Sequence, residues 1–496
     1  MRLVYAIAAL FALVVLQEIL SPLAVLAMFV SLGFLALTIR RPLSTLTFLA
    51  VYLPFEPFLL KFVPEELYVF ARFFSEGLVY VLAGIVVWKL ATGAVKFKPT
   101  PFDLPFGLFL LVLFTGSVIN VVPPTIALLG ARQILRFVIL YYVALHLGAS
   151  RTYVLRLTRI LLVVVALVSA IGIAQGVIGP AADELLLPEE TRVLGDVTLG
   201  GVTQFWESGT RVFATLGRYD RLGNFLVFFL PMVLAFAYEK AQRVKSVAHS
   251  WWWVLGLGAA ALVMTYSRAS WFAFLIALVY VGVIVKRDKR LGFLLASVAL
   301  LAALYIGVSG LNVRYITEAP GQTLVERFYE AFSEARWRGE YYGLGRLYWM
   351  VQTPLTVVPA APFFGWGPGQ YGGGAVSALQ NTTVYDQLGL PFGVFGSEGV
   401  IDNNWFSLWG ETGTLGLAFF LWMLGTCVAQ ARTLWRTHDS PSVRCIALGF
   451  GGAVLGLCFI ALLSTVFEIR TTAFYLWMYA GFIAAFAQEK PRDSFL

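Results

Sequence analysis

The segment IDNNWFSLWGETGTLGLAFFLWMLG, residues 401–425, decides how the chain is read. Its second half is apolar and uncharged, as in a helix that crosses a lipid bilayer. Its first half sets Asp402, Asn403, Asn404 and Glu411 on the threshold of that helix. A carboxylate held in or beside lipid is costly, so each one kept there requires a physical reason.

Working outward, apolar runs of similar length recur along the whole chain. Of its 496 residues 59% are hydrophobic and 13% are charged, against roughly a quarter charged in soluble domains. The expected fold is an all-α polytopic membrane protein with about 14 (12–14) transmembrane helices, each near the roughly 20 residues a bilayer needs. They fall near 3–20, 22–39, 43–60, 73–91, 104–122, 129–148, 159–179, 223–239, 251–267, 270–286, 291–309, 404–431, 444–466 and 472–487. The run at 3–20 lacks a small-x-small cleavage site and reads as a retained membrane helix rather than a signal.

Charge sets the orientation. With both termini inside, the inner loops carry Arg40 and Arg41, Lys96 and Lys98, Arg151 with Arg156 and Arg159, the KRDKR run at 286–290, and Arg436 with Arg444. Every short inner loop is then basic. This bias accounts for the net charge of +8 without a nucleic-acid partner, and no basic run lies elsewhere. The chain divides into N-terminal helices 1–179, a first long outer loop 180–222, central helices 223–309, a large outer loop 310–403 and C-terminal helices 404–496. The large loop carries a helical pattern over 324–352 and a Gly/Pro-rich turn region at 362–374, but no strand-period sheet.

Cys427, Cys445 and Cys458 sit in or beside apolar segments without paired spacing and read as packing residues. His146, His249 and His438 all fall on the inner side of this topology. Outer-face chemistry therefore has no histidine base and no histidine metal site.

Arginines do crowd the outer side, against the usual bias. Arg211 and Arg218 lie in the first loop and Arg346 in the second. Arg268 lies in a tight turn between two helices, and Arg132 and Arg136 are one turn apart near an outer helix end. Guanidinium groups bind phosphate through a rigid fork and do not lose their charge. The competing reading is contact with lipid headgroups or with Glu326, Glu330, Glu334 and Glu340. Loop aromatics such as Trp337, Trp349, Tyr371 and Tyr385 suit either sugar stacking or the interfacial belt. Glu411 sits among Gly410, Gly413 and Gly416, a spacing of three that suits close helix packing rather than nucleotide binding, and a cap or pairing role accompanies that reading. Asp402 and the adjacent Asn403 end the outer loop. Asp402 is open to two readings, a helix cap or a general base that must reach a hydroxyl.

Four segments, RVFATLGRYDRLGNFLVFFLPM (211–232), TYSRASW (265–271), GRLYWMVQTPLTVVPAAPFFGWGPGQYG (345–372) and DNNWFSLWGETGTLGLAFF (402–420), together resemble the O-antigen ligase and polymerase family, in that family's order. The resemblance covers roughly 200–425; the N-terminal helices are similar in hydropathy only. It implies a GT-C-like, inverting, metal-independent glycosyltransferase working at the outer face of the bacterial cytoplasmic membrane. The implied partners are a glycan donor on undecaprenyl diphosphate, a glycan acceptor and membrane lipids, with other polysaccharide-assembly proteins as further candidates. Arg268 and Arg346 match the family's functional arginines, and Arg211 matches one more loosely. Asp402, Arg268 and Arg346 are the catalytic candidates, with Arg211, Arg218, Asn403 and Glu411 in substrate binding; Arg132 and Arg136, outside the stretch of resemblance, join the substrate-binding set as outer-side cations.

Ligases that use lipid A core as acceptor carry His where this chain has Asp402, so the chain looks more like the polymerase branch. It also departs from the family at Arg218 and Asp220, where Asn is common, and in a helix count above the usual twelve. Transfer of finished glycan to another acceptor remains an alternative. A lipid-linked oligosaccharide flippase is a second one, although no repeated halves of the transporter kind are visible.

Overall fold

The computed structural model describes residues 21–188, 191–194, 197–200, 207–241, 245–319, 322–393 and 398–489. The helix expected at 3–20 lies outside them. The chain is helical almost throughout, and each remaining expected helix has a counterpart. Eight helices are long and apolar enough to span a bilayer, or nine if the bent pair Pro124–Ile134 and Ile139–His146, which meet at 54°, counts as one. The expected fourteen is not reached among the described residues because several runs form shorter helices, among them Pro42–Tyr52 and Asp103–Ile119. One feature had no periodic signal: Thr191–Leu194 pairs antiparallel with Val197–Gly200 as a hairpin. Four residues are too few for strand alternation to register.

Helix Tyr219–Ala241 forms the centre, packed against Pro441–Ile460 and Arg470–Ala487. Close approach depends on small residues: a Cβ on Gly449 would stand 2.4 Å from the Met232 Cα. Lys289–Val308, by contrast, has no buried residue. The basic loops meet at one end of the bundle. Lys286 Nζ lies 3.6 Å and Arg444 Nη2 3.7 Å from the Glu239 carboxylate, while Gln488 donates to the Pro99 carbonyl at 3.0 Å.

At the opposite end the large loop folds onto the helices. The helical pattern over 324–352 is not one helix but the pieces Leu324–Tyr329, Glu334–Tyr342 and Arg346–Gln352. Thr323 and Glu326 form a reciprocal capping box at the first start. Ser333, extended at φ −78° and ψ 128°, interrupts the pattern and caps the second. Trp349, Tyr371 and Tyr385 are buried and pack on one another as a small core under this loop. They serve neither as a sugar platform nor as an interfacial belt.

The helix that opened the sequence reading, Asn404–Thr437, is broken at Gly413 (φ 65°, ψ −173°). The left-handed φ suits glycine, and a Cβ there would lie 2.4 Å from the Phe363 carbonyl oxygen. The break frees backbone groups that the 362–367 loop then satisfies. Trp366 N donates to Gly410 O and Gly367 N to Glu411 O, both at 2.9 Å, while Thr414 N donates to Pro362 O at 2.9 Å. A broken membrane helix requires such replacement partners. Glu411 completes the join, accepting from Gly369 N at 2.9 Å while 2% exposed.

Candidate active site

A cavity of about 530 Å³ opens where the large loop meets the turn between helices Lys245–Met264 and Arg268–Leu278. Its wall includes Arg218, Arg268, Arg327, Arg336, Arg346 and Asp402. These residues come from three regions of the chain, so only the fold assembles them. Local backbone holds two of the arginines in place. Tyr266 (φ 54°) precedes Arg268 by two residues, and Leu344 (φ 56°) precedes Arg346 by two. A bulky residue in the left-handed region costs about 1–2 kcal/mol, and such strain clusters at functional sites.

The arginines are held by carboxylates beneath them. Glu330, fully buried, lies 2.9 Å from Arg268 Nη1, 2.9 Å from Arg327 Nη1 and 3.5 Å from Arg336 Nε. The Arg268 contact is an ion pair by distance but is not aligned as a hydrogen bond. Arg327 Nε also donates to the Tyr266 carbonyl at 3.3 Å, tying the loop to the TYSR turn. Farther out, Glu318 takes Arg211 at 2.5 Å and Arg327 and Arg336 at 3.2 Å each. Burial would raise its carboxyl, but Arg327, Arg211 and Arg336 hold it down at about 2. Arg211 therefore stands behind the wall, and its guanidinium also covers the Tyr219 ring at 4.6 Å. Arg218 pairs with Asp220 at 2.9 Å, and that neighbour raises its guanidinium above the usual value.

Asp402 is the exposed exception, with 56% of its side chain accessible. Its Oδ2 meets Arg346 Nη2 at 3.2 Å. Burial works against the Arg346 charge, yet Asp402 and Glu340 raise its guanidinium above the ordinary range. The helix-cap reading of Asp402 fails, because the cap is its neighbour. Asn403 Oδ1 accepts from Phe406 N at 3.1 Å, and Asn403 Nδ2 donates to Leu462 O at 2.9 Å. Asn403 is wholly buried and off the cavity wall, so its role is to shape the helix start. Glu411 is likewise off the wall, holding the 369–371 backbone.

Residues 253–421 match the O-antigen ligase family model. The match covers about a third of the chain and supports its assignment to the O-antigen ligase and polymerase family. That likeness supports an O-antigen ligase-like function, the transfer of a lipid-linked glycan, and the matched stretch contains Arg268, Arg327, Arg336, Arg346 and Asp402. Arg218 reaches the same cavity from outside it. No curated protein matches the chain.

Arg132 and Arg136 do not reach this cavity. They line another, described below. Glu318, Glu330 and Glu340 carry the arrangement yet stand outside the candidate set drawn from the sequence. Glu330 and Glu340 were recognisable as pairing partners. The role of Glu318 depends on contacts with Arg211, 107 residues away, which no local pattern encodes.

Proposed function

We propose that the chain is an inverting glycosyltransferase acting on undecaprenyl-diphosphate-linked glycan, and that it polymerises surface-polysaccharide repeat units at the outer face of the bacterial cytoplasmic membrane. The cavity end of the bundle is the outer face, and both termini belong with the basic, cytoplasmic end. The carrying observation is that Arg268, Arg346 and Asp402 share one cavity. Cationic groups suited to a diphosphate thus stand beside an exposed carboxylate suited to a hydroxyl.

Asp402 takes the proton of the acceptor hydroxyl as that oxygen attacks the anomeric carbon. The bond from that carbon to the diphosphate oxygen breaks, its electron pair leaves with the lipid diphosphate, and the configuration inverts. Arg268 and Arg346 stabilise the charge growing on the leaving group, the kind of preorganised electrostatics that usually supplies the largest catalytic term. When the diphosphate arrives, Arg346 exchanges its contact with Asp402 for one with phosphate, which frees the base. These groups act without a metal.

The family description supports a second reading, ligase-like transfer to a different acceptor. Incubating purified protein with lipid-linked repeat unit alone separates the two. A ladder of lengthened products is expected. Product only after an unrelated acceptor is added would overturn polymerisation in favour of ligation.

A further inference from the structure

The wall of the candidate active site has a second side. Arg218 and Asp220 face the first cavity, and Arg221 faces another. Asp402 and Ser464 face the first, whereas Val400 and Thr465 face the other. The second cavity also measures about 530 Å³, so two chambers of similar size stand back to back.

The second chamber carries an unbalanced charge. Lys61, Arg72, Arg132, Arg136, Arg221 and Arg470 line it. Three carboxylates oppose these six cations. Glu76 takes Arg132 at 2.6 Å and Arg470 at 3.7 Å, and Glu56 lies 3.8 Å from Arg470. Glu468, the third, accepts from Gln133 Nε2 and Gly374 N, and burial pushes its carboxyl above the usual range. Lys61 Nζ donates to the Glu184 carbonyl at 2.8 Å. Among the described residues Arg136 bonds neutral acceptors, the Glu468 carbonyl at 2.9 Å and Gln133 Oε1 at 2.6 Å. Arg72 Nη1 and Arg136 Nε are buried without a hydrogen-bond partner among the described residues. Buried donors of this kind are costly unless something accepts from them. In the first cavity each arginine has a carboxylate within 3.5 Å; here the six cations outnumber Glu56, Glu76 and Glu468 even with Asp220, which Arg221 shares with Arg218, added to them.

Phe73, Leu129 and Leu379 line the cavity and are themselves 38–40% exposed. Beyond them Phe70 and Leu128 are exposed as well. A ligand seated here meets cations at depth and apolar side chains at the mouth.

We propose that this chamber binds the diphosphate of a second lipid-linked glycan, so that the two substrates of the transfer sit on either side of the wall made by residues 218–221, 400–402 and 464–465. This rests on the glycosyltransferase reading above. Polymerisation joins two molecules that each carry a lipid diphosphate, and a partner of that chemistry needs cations for its phosphates and an apolar path for its tail. Phospholipid headgroups and free phosphate share the phosphate chemistry, and the test separates them.

Binding of undecaprenyl diphosphate is counted by native mass spectrometry on protein in phosphatidylcholine nanodiscs. The intact protein is expected to take up two equivalents. Arg136→Gln should weaken one of them by about tenfold or more, the loss expected for a charged hydrogen bond, and Arg346→Ala should weaken the other. Arg72→Gln is the control for folding, since its Nη1 has no hydrogen-bond partner among the described residues, and it should weaken the same equivalent as Arg136→Gln. One equivalent at most on the intact protein, or two equivalents retained in both Arg72→Gln and Arg136→Gln, overturns the inference. Loss confined to Arg346→Ala overturns it while leaving the proposed function standing, whereas no binding at all removes both. Displacement of the Arg136-dependent equivalent by phosphatidylglycerol, or by inorganic diphosphate at equal concentration, would make the chamber a headgroup or phosphate site and overturn the substrate assignment.

Discussion

Replacing Arg346 by alanine separates catalysis from folding. Its guanidinium is 30% exposed and meets Asp402, 56% exposed, at 3.2 Å. A pair this accessible contributes at most about 1 kcal/mol to stability. In the proposed reaction, by contrast, the leaving diphosphate gains about one unit of negative charge. With a phosphate oxygen some 4 Å away and an effective dielectric constant near 20, that charge interacts with the guanidinium by about 4 kcal/mol. At roughly 1.4 kcal/mol per decade this corresponds to about 1,000-fold in rate, and losing one preorganised donor typically costs about 100- to 1,000-fold. The assay is the initial rate of glycan lengthening by reconstituted protein, read beside its thermal unfolding midpoint. Arg346→Ala should lose at least about 100-fold in kcat while the midpoint moves little. Arg346→Lys should recover only part of the loss, because a point charge cannot reproduce the fork. A folded Arg346→Ala protein that turns over within a few-fold of the parent would refute the assignment of this arginine to the leaving group.

Asp402→Asn should lower turnover about 100- to 10,000-fold, the range for a general base, with no loss of stability, since Asn403 provides the cap; rapid turnover by this variant would remove Asp402 from the reaction. Glu330→Gln leaves Arg268, Arg327 and Arg336 without their shared buried carboxylate, and should cost about 3–5 kcal/mol of stability. A small shift in its unfolding midpoint would show that the arginines are balanced elsewhere. Glu318, held at about 2 by Arg327, Arg211 and Arg336, has a folded-state pKa depressed below the ordinary carboxylate value. Its contribution is therefore present above about pH 4.5 and is lost as pH falls toward 2. Hydrogen exchange across 311–342 should rise over that window, and Glu318→Gln should abolish the pH dependence.

The helices were legible because hydropathy records burial in lipid one segment at a time. Ordered motifs pointed to Arg268, Arg346 and Asp402, and the fold does bring them to one cavity. What sequence could not decide was geometry set by backbone angles. Asp402 and Asn403 are both competent capping residues, and only the extended backbone of Asn403 (φ −155°, ψ 106°) makes it the cap. The glycines at 410, 413 and 416 indicated close packing, but the break at Gly413 follows from a loop 50 residues earlier lying across it. Arg132 and Arg136 stood out as outer-face cations. Their cavity is closed by Arg72, Arg221 and Arg470, which carry no shared motif and meet only after folding.

Glu330 and Asp402 also show how one chemical group serves two ends within a single cavity. Glu330 is fully buried beneath three arginines. Solvent cannot screen that charge, so it fixes the guanidinium planes and limits the self-repulsion of a positive cluster before substrate arrives. A carboxylate so enclosed cannot reach a hydroxyl outside. Asp402 has one arginine contact and 56% of its side chain accessible. It can exchange that arginine for an incoming hydroxyl at little cost, because exposed pairs are weak. Exchanging their positions would destroy both roles: an exposed Glu330 would leave the arginines free to move, and a buried Asp402 would be locked to its counterions. In the proposed reaction burial, rather than residue type, thus divides the two carboxylates into a support and a base.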